Sequence, residues 1–372
     1  MSRLRLAVIG AGHLGRIHAR LAAAASQVQL TAVVDPVPCA REGVAREFGA
    51  EPLADCRELF GQVDAAIVAT PTSNHFHVAS ELLRGGVHVL VEKPITADLD
   101  EADQLVRLAK QRQLVLQVGH VERFNPGLAA VEDKLYDPKF IEARRLSGYT
   151  FRATDVGVVL DLMIHDIDVV LNLVRSPVEH VEAIGVSVLG DHEDMVNARL
   201  HFASGCVANL TASRVSYVSQ RTMQVFTSQC CATIDFAARR ASLVQPSEAV
   251  LDRSFRLKEL SPSEQEHLRE HFFTDLVWKH DLPALEVNAI EAEQLDFATA
   301  IRTGVQPRVT GNDGRDALSV AHMILTRIAS HQWDGLPEGR RGPLAMPESP
   351  QVLPAADNWS LDDTVVIRRK AG

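Results

Sequence analysis

Residues 4–15 read LRLAVIGAGHLG, an apolar run followed directly by three glycines in the spacing G-x-G-x-x-G. The run predicts a buried strand, and the residues after it predict an amphipathic helix that begins near His13. In such a strand–turn–helix unit, Gly10 permits the tight turn and Gly12 lets the backbone approach a pyrophosphate. Gly15 allows close packing of helix on strand, and the helix N-terminus offers free N–H groups to an anion. These residues predict a dinucleotide-binding turn, with a plain glycine-rich turn as the simpler alternative.

The first third of the chain repeats this strand-and-helix rhythm. Apolar runs predict strands at 4–9, 30–35, 65–70, 88–92 and 114–118, and amphipathic stretches predict helices at 13–25, 39–48, 75–84 and 97–112. Strands that alternate with helices build a parallel sheet with right-handed crossovers. We therefore predict an α/β fold that begins with a doubly wound Rossmann domain over residues 1–122.

The rest of the chain has a different character. Strand-like runs dominate, at 141–146, 178–188, 195–202, 207–213, 221–228 and 230–236, with helical stretches at 160–174, 289–303 and 314–331. Runs of strands with few intervening helices favour an antiparallel sheet. We predict a C-terminal α+β domain over 123–334 with an open-faced, mostly antiparallel sheet that binds substrate and forms oligomers. Residues 335–372, rich in Pro, Gly and charge, are predicted to form a C-terminal arm.

Composition limits the classes of function. The chain is 46% hydrophobic and 23% charged with a formal net charge of −10, which disfavours general binding to nucleic acid. No apolar stretch approaches the roughly 20 residues that a membrane span needs, and no signal segment is evident. The five cysteines show no C-x-x-C spacing. We expect a cytoplasmic protein that needs no metal.

A carboxylate in the expected place specifies the dinucleotide. Asp35 ends the second predicted strand about 20 residues beyond the glycines, where it can bind both adenosine ribose hydroxyls and repel a 2′-phosphate. Because no Arg follows it immediately, NAD is favoured over NADP. A second loop follows the third predicted strand at the sheet edge that binds ligands, although it could simply cap the next helix. The predicted cofactor-binding residues are Gly10, Gly12, His13, Leu14, Gly15, Asp35, Thr70, Pro71, Asn74, His75, Glu92 and Lys93.

Two further motifs predict catalytic groups. Glu92-Lys93-Pro94 ends a strand at the same sheet edge, which puts Lys93 beside the nicotinamide. In the helix predicted at 160–174, Asp161, His165 and Asp168 are spaced by four and three residues and share one face. An N-cap role for Asp161 and a core role for His165 are the alternatives, and zinc binding ranks lower because a third ligand is missing.

Together these motifs resemble the glucose-fructose oxidoreductase, inositol dehydrogenase and MocA family over nearly the whole chain to about residue 330. The resemblance implies that Lys93, Asp161 and His165 line the substrate pocket. The variant at 155–160 and the run at 119–126 resemble a narrower branch that includes UDP-N-acetylglucosamine 3-dehydrogenases of lipid A and amino-sugar biosynthesis. On this analogy, the candidates to bind sugar or phosphate also include Arg123, Asn125, Arg144 and Arg214.

The expected reaction is oxidation of a secondary sugar hydroxyl by hydride transfer to NAD. His165, oriented by Asp161, is the preferred base and Lys93 stabilises the reacting oxygen, although Lys93 could itself be the base. The alternatives are an inositol, free-sugar or dihydrodiol dehydrogenase, a non-catalytic NAD-binding regulatory protein, and a hydrolase with tightly bound NAD. Apolar residues at 207–210 and 223–226 suggest a homodimer or homotetramer formed through the open sheet face.

Overall fold

Six parallel strands form the first sheet of the computed structural model, which describes residues 3–150, 156–283, 286–333 and 338–344. The strands are β1 (Leu4–Ile9), β2 (Val28–Val34), β3 (Glu51–Leu53), β4 (Ala65–Val68), β5 (His88–Glu92) and β6 (Leu116–Gly119). Their order, β3-β2-β1-β4-β5-β6, reverses beside β1, as in a doubly wound Rossmann sheet. The helices between them are α1 (His13–Ala24), α2 (Pro38–Phe48), α3 (His75–Arg84) and α4 (Leu99–Arg112). The predicted parallel sheet is confirmed, with β3 as an additional short strand.

Eight strands form the second sheet. They are β7 (Phe140–Leu146), β8 (Val178–Val186), β9 (Met195–Phe202), β10 (Val207–Ser213), β11 (Gln220–Phe226), β12 (Cys231–Asp235), β13 (Arg240–Pro246) and β14 (Val277–Leu282). Their order is β14-β13-β12-β11-β7-β10-β9-β8, and all pairs are antiparallel except β7 with β10. The mostly antiparallel sheet is confirmed, and β13 and β14 extend it beyond the predicted strands.

Two of the remaining helices cover one face of this second sheet, and another returns to the first sheet. They are α5 (Pro126–Ala129), α6 (Ile164–Val174), α7 (Glu248–Leu251), α8 (Pro262–Glu270), α9 (Ala289–Thr303) and α10 (Gly311–Ser330). Apolar residues of α6 and α10 form one core with the inner face of the sheet. Among the described residues, no helix has the length and apolar character that crossing a membrane requires.

The outer face of the second sheet corrects one expectation. Leu210 and Met223 are buried on the inner face, whereas the outward positions beside them carry Asn209 and Gln224. Apolar residues that face outward are scattered, such as the 37% exposed Phe226 at the end of β11 and the 39% exposed Ile184 within β8. Positions 207 and 210, like 223 and 226, are three residues apart. Because side chains alternate between faces, only one residue of each pair faces outward. The expected apolar face is therefore mostly polar, and the oligomeric state stays a prediction.

Helix α9 leaves the second domain and packs on the first. Phe297 and Ala298, both 1% exposed, lie in a core with β1, β2 and α1. The following residues continue the contact, because Val118 N donates to Val309 O at 3.3 Å. The division at 122/123 and 334/335 stays a prediction, and of the predicted arm only 338–344 belongs to the described part.

Candidate active site

The glycine-rich turn has the shape that a pyrophosphate site needs. Gly10 has a φ of 98°, and a Cβ added there would lie 2.5 Å from Ala69 O. A Cβ on Gly15 would lie 1.7 Å from Gly10 O, so that helix α1 can approach β1 only with glycine. A Cβ on Gly12 would meet nothing within 4 Å. Gly12 and His13 are exposed at the start of α1, which leaves the helix N-terminus accessible to an anion.

Asp35 follows β2 and faces this turn. Its Oδ2 accepts a hydrogen bond from Ala11 N at 2.8 Å, and its Oδ1 accepts one from Val37 N at 2.9 Å. The carboxylate therefore lies beside the glycines, where an adenosine ribose would meet it. Arg41, six residues further on, donates to Asp35 O at 3.2 Å. This guanidinium, which the residues directly after Asp35 gave no reason to expect, therefore lies beside the backbone of Asp35 and Pro36.

Hydrogen bonds of His75 connect the loop after β4 to the residues that follow β5, which include Lys93. Buried His75 places Nε2 3.0 Å from Thr70 O and Nδ1 2.8 Å from Pro94 O, and the Lys93–Pro94 peptide bond is cis. Pro71 and Asn74 are exposed at this edge, and Asn74 makes no capping hydrogen bond. His75 thus organises the loop from within, while Pro71 and Asn74 remain accessible to a ligand.

Glu92 supports the strand end from the interior. Its Oε1 is 2.8 Å from His18 Nε2, and its Oε2 accepts from Lys93 N at 3.3 Å. Glu92, His18 and buried Glu293 bring ligand atoms within 4.8 Å of one another, a donor set that a metal could accept. Burial raises the pKa of Glu293 well above its usual value, which favours a neutral carboxyl group. His18 pairs with Glu92 inside the protein, whereas neither carboxylate oxygen of Glu293 has a hydrogen-bond partner among the residues that the structure describes. Contact of Glu92 with the cofactor stays a prediction.

Lys93 joins the two domains at the centre of the site. Its Nζ donates to Asp161 O at 2.7 Å and to Asp161 Oδ1 at 3.2 Å. Asp161 lies in a π-helical turn, Val159–Met163, that precedes α6. The two side chains are 19% and 25% exposed, so the pair is sheltered but open to a small molecule. The structure therefore brings together two of the three candidate catalytic residues by direct contact.

His165 lies in the same pocket without the expected contact to Asp161. Its Nδ1 is buried and has no hydrogen-bond partner among the described residues. The Asp161 carboxylate contacts Lys93 instead, because the π-helical turn replaces the regular spacing of four residues. Burial, followed by the positive charge of Lys93, holds the pKa of His165 well below its usual value. His165 is therefore a neutral imidazole at neutral pH.

A second histidine, absent from the predicted set, faces His165. His120 follows β6, and its ring meets that of His165 edge-on at a centroid distance of 6.4 Å. The side chain is fully buried, neither ring nitrogen has a hydrogen-bond partner among the described residues, and burial lowers its pKa to about 3. Its position directly after a parallel strand, at the same edge as Lys93, was the signal that could have identified it.

Asp168, which was predicted to share a helix face with Asp161 and His165, contacts Arg123. Asp168 is buried and its Oδ1 lies 3.3 Å from Arg123 Nη1. Burial raises the pKa of Asp168 to about 7 despite this pair. Arg123 also donates to Arg308 O at 3.0 Å, whereas Arg123 Nε and Asp168 Oδ2 have no hydrogen-bond partner among the described residues.

Asn125 and Arg214 also make contacts inside the protein. Asn125 Nδ2 donates to Glu122 Oε2 at 2.9 Å, and its Oδ1 accepts from Gly127 N at the start of α5. Arg214 Nε donates to Asp194 Oδ1 at 2.6 Å. Both residues are buried, and these contacts stabilise turns and strand ends. A role in substrate binding stays a prediction for each.

Arg144 lies away from the site. It is exposed on the outer face of β7 and pairs with Glu142 at 2.7 Å. Its neighbour Arg145 faces inward and is 3% exposed. Arg145 binds Glu122 Oε1 and Asp166 Oδ1, each at 2.8 Å, directly behind His165. The inward arginine of this strand is therefore the one near the catalytic groups.

Comparison with known proteins assigns the family. Residues 4–120 match the GFO_IDH_MocA description "Oxidoreductase family, NAD-binding Rossmann fold", and residues 135–232 match the "GFO/IDH/MocA C-terminal domain". The chain belongs to the GFO/IDH/MocA oxidoreductase family. Its cofactor is accordingly NAD, for which the open space at Gly12 and the accessible start of α1 provide a fitting cradle.

Relatives in this family act on sugars and inositols. UDP-N-acetylglucosamine 3-dehydrogenase of Acidithiobacillus ferrooxidans is 40% identical over 237 residues, which cover 63% of this chain and 75% of that protein. Inositol 2-dehydrogenase of Rhizobium meliloti is 27% identical over 346 residues, covering 88% and 97%. A solved structure of the Acidithiobacillus enzyme superposes with a TM-score of 0.76 at 33% identity, covering 88% of this chain and 98% of that one. The chain is thus an enzyme of the dehydrogenase type, which excludes the non-catalytic alternative.

Proposed function

We propose that this enzyme oxidises the 3-hydroxyl group of a UDP-linked N-acetylhexosamine with NAD as hydride acceptor. The contact of Lys93 Nζ with Asp161 carries the proposal, because it brings an ammonium group and a carboxylate together beside the neutral imidazole of His165. The 40% identity to UDP-N-acetylglucosamine 3-dehydrogenase supports the choice of substrate.

The residues divide the chemistry between them. When bound, NAD supplies the nicotinamide carbon that accepts the hydride. Lys93 donates a hydrogen bond to the reacting hydroxyl oxygen and stabilises the negative charge that develops on it. His165 takes the hydroxyl proton, for which its neutral form is required. Asp161 holds the ammonium of Lys93 in position through two oxygen atoms.

A second candidate is an inositol, free-sugar or dihydrodiol dehydrogenase. Inositol dehydrogenases are also similar to this chain. The contacts of Arg123, Asn125 and Arg214 inside the protein favour this candidate, because they use most of the polar groups that a phosphate would need. In the preferred proposal, the 3-keto product suits a PLP-dependent aminotransferase of lipid A or amino-sugar biosynthesis. The cytoplasmic location and the homodimer or homotetramer stay predictions.

A substrate panel tests the proposal. Purified protein and NAD are mixed with UDP-N-acetylglucosamine, UDP-N-acetylgalactosamine, inositols or free hexoses, and NADH absorbance is followed with and without a keto-acid acceptor. The Lys93→Met variant provides the inactive control. We expect NADH, or exchange with the acceptor, only from the UDP-sugars. Turnover of an inositol or hexose with none from either UDP-sugar would establish the second candidate.

A further inference from the structure

Arg221 is a further cation near the site, in addition to the four residues predicted to bind sugar or phosphate. It lies on β11 directly opposite Arg145 of β7, and residues paired in this way point to the same face of a sheet. Since Arg145 contacts Asp166 on the inner face, Arg221 also points inward, toward the side that holds His165. Its positive charge is near enough to contribute to the low pKa of His165.

The two neighbouring arginines differ in their surroundings. Arg145 is buried and neutralised by Glu122 and Asp166. Arg221 is exposed, and among the described residues its guanidinium contacts no carboxylate and makes no hydrogen bond. The charge of Arg221 helps to lower the pKa of Asp166, but that carboxylate is already bound by Arg145, so Arg221 has no ion-pair partner of its own in the described part of the chain. In a chain with a net charge of −10, a local cation is required to attract an anionic substrate.

We propose that Arg221 binds the diphosphate of the nucleotide-sugar substrate while the sugar lies between Lys93 and His165. The inference rests on the proposed function and deepens it. Strand β11 is next to β7 on the side away from β10, so a substrate that extends from His165 past Arg145 reaches Arg221. The planar guanidinium offers two parallel N–H donors to phosphate oxygens. A neutral inositol has no group that requires this charge.

Three variants test the assignment. Arg221→Gln removes the charge, Arg221→Lys keeps it without the planar fork, and Arg199→Gln is the matched control on the outer face of β9. Calorimetry with UDP at saturating NAD measures binding directly, because NAD then occupies the glycine-rich turn. We expect Arg221→Gln to weaken UDP binding and raise the KM for UDP-N-acetylglucosamine by about 10- to 150-fold, the usual loss for a charge-assisted hydrogen bond. The kcat and the Kd for NAD should stay unchanged, Arg221→Lys should be intermediate, and Arg199→Gln should resemble the wild type.

The outcomes separate this inference from the proposed function. If wild-type protein oxidises UDP-N-acetylglucosamine and Arg221→Gln has an unchanged KM and UDP affinity, the role of Arg221 is refuted and the function stands. If wild-type protein does not oxidise UDP-sugars, the function fails. Inorganic pyrophosphate, titrated at saturating NAD, then tests the anion site by itself. Equal binding by wild type and Arg221→Gln refutes the site, and loss of binding only in Arg221→Gln supports it.

Discussion

Alanine at Gly12 should separate cofactor binding from folding. Gly12 has φ −71° and ψ −168°, an extended conformation that alanine also adopts, and its added Cβ would meet no protein atom within 4 Å. The substitution raises folding stability by about 0.4–1 kcal/mol, because alanine restricts the unfolded chain more than glycine does. It loses about 0.5–1 kcal/mol because alanine is a poorer N-cap than glycine. We therefore expect the melting temperature of the NAD-free protein to change by less than about 4 °C.

The same methyl group should strongly weaken NAD binding. It would occupy the space in which the pyrophosphate approaches the N-terminus of α1. Loss of one hydrogen bond to a charged group costs about 1.5–3 kcal/mol, which corresponds to a rise in Kd of about 10- to 150-fold. Calorimetric titration with NAD measures this change, and thermal unfolding without NAD checks the fold.

Gly15→Ala is the matched control. Its Cβ would lie 1.7 Å from Gly10 O, so the backbone must move before α1 can pack on β1. We expect a loss of about 1–3 kcal/mol in folding stability, visible as a lower melting temperature without NAD. An unchanged Kd for NAD in Gly12→Ala, or equal melting temperatures of the two variants, would refute the reasoning.

Three further expectations concern the site and its support. Lys93→Met and His165→Ala should each lower kcat by about 10²- to 10⁴-fold and leave the Kd for NAD unchanged, and near-normal turnover would remove that residue from the chemistry. Asp35→Ser should narrow the preference for NAD over NADP, and calorimetry showing tighter NADP than NAD binding by the wild type would contradict that preference. Because burial raises the pKa of Asp168 from 3.8 to about 7, folding stability should fall by up to about 4 kcal/mol as pH rises from 4 to 8. Urea unfolding at both pH values should show a smaller fall in folding stability for Asp168→Asn than for the wild type. An equal fall in both proteins would refute this assignment.

The parts of the fold that could be predicted depend on local sequence. The strand, turn and helix around Gly10, Gly12 and Gly15 are specified by neighbouring residues, so their bounds agree with the structure within one residue. Strand β14 escaped prediction because it is an edge strand with exposed residues at four central positions, which removes the alternation of apolar and polar residues. Strand β13 ends at Pro246 and has partly exposed residues between its buried ones, so its apolar signal is weak.

The parts of the site that could not be predicted depend on distant partners. Arg123 and Arg214 were suitable for phosphate by residue type, but their carboxylate partners lie 45 and 20 residues away in sequence. Sequence spacing also could not reveal the π-helical turn that directs Asp161 to Lys93. The inward position of Arg221 follows only from its pairing with Arg145, which requires the sheet register.

The return of α9 to the first domain has a consequence for synthesis of the chain on the ribosome. Phe297 completes the apolar core between α1 and the first sheet, yet it is translated 178 residues after Gly119, the last residue of β6. At about 5–20 residues per second this interval lasts about 10 to 35 s. During that time the nascent first domain exposes the apolar surface that Phe297 later covers. A chaperone that binds apolar segments should therefore crosslink to ribosome-bound chains stalled before residue 289 more readily than to chains stalled after α9 has left the exit tunnel.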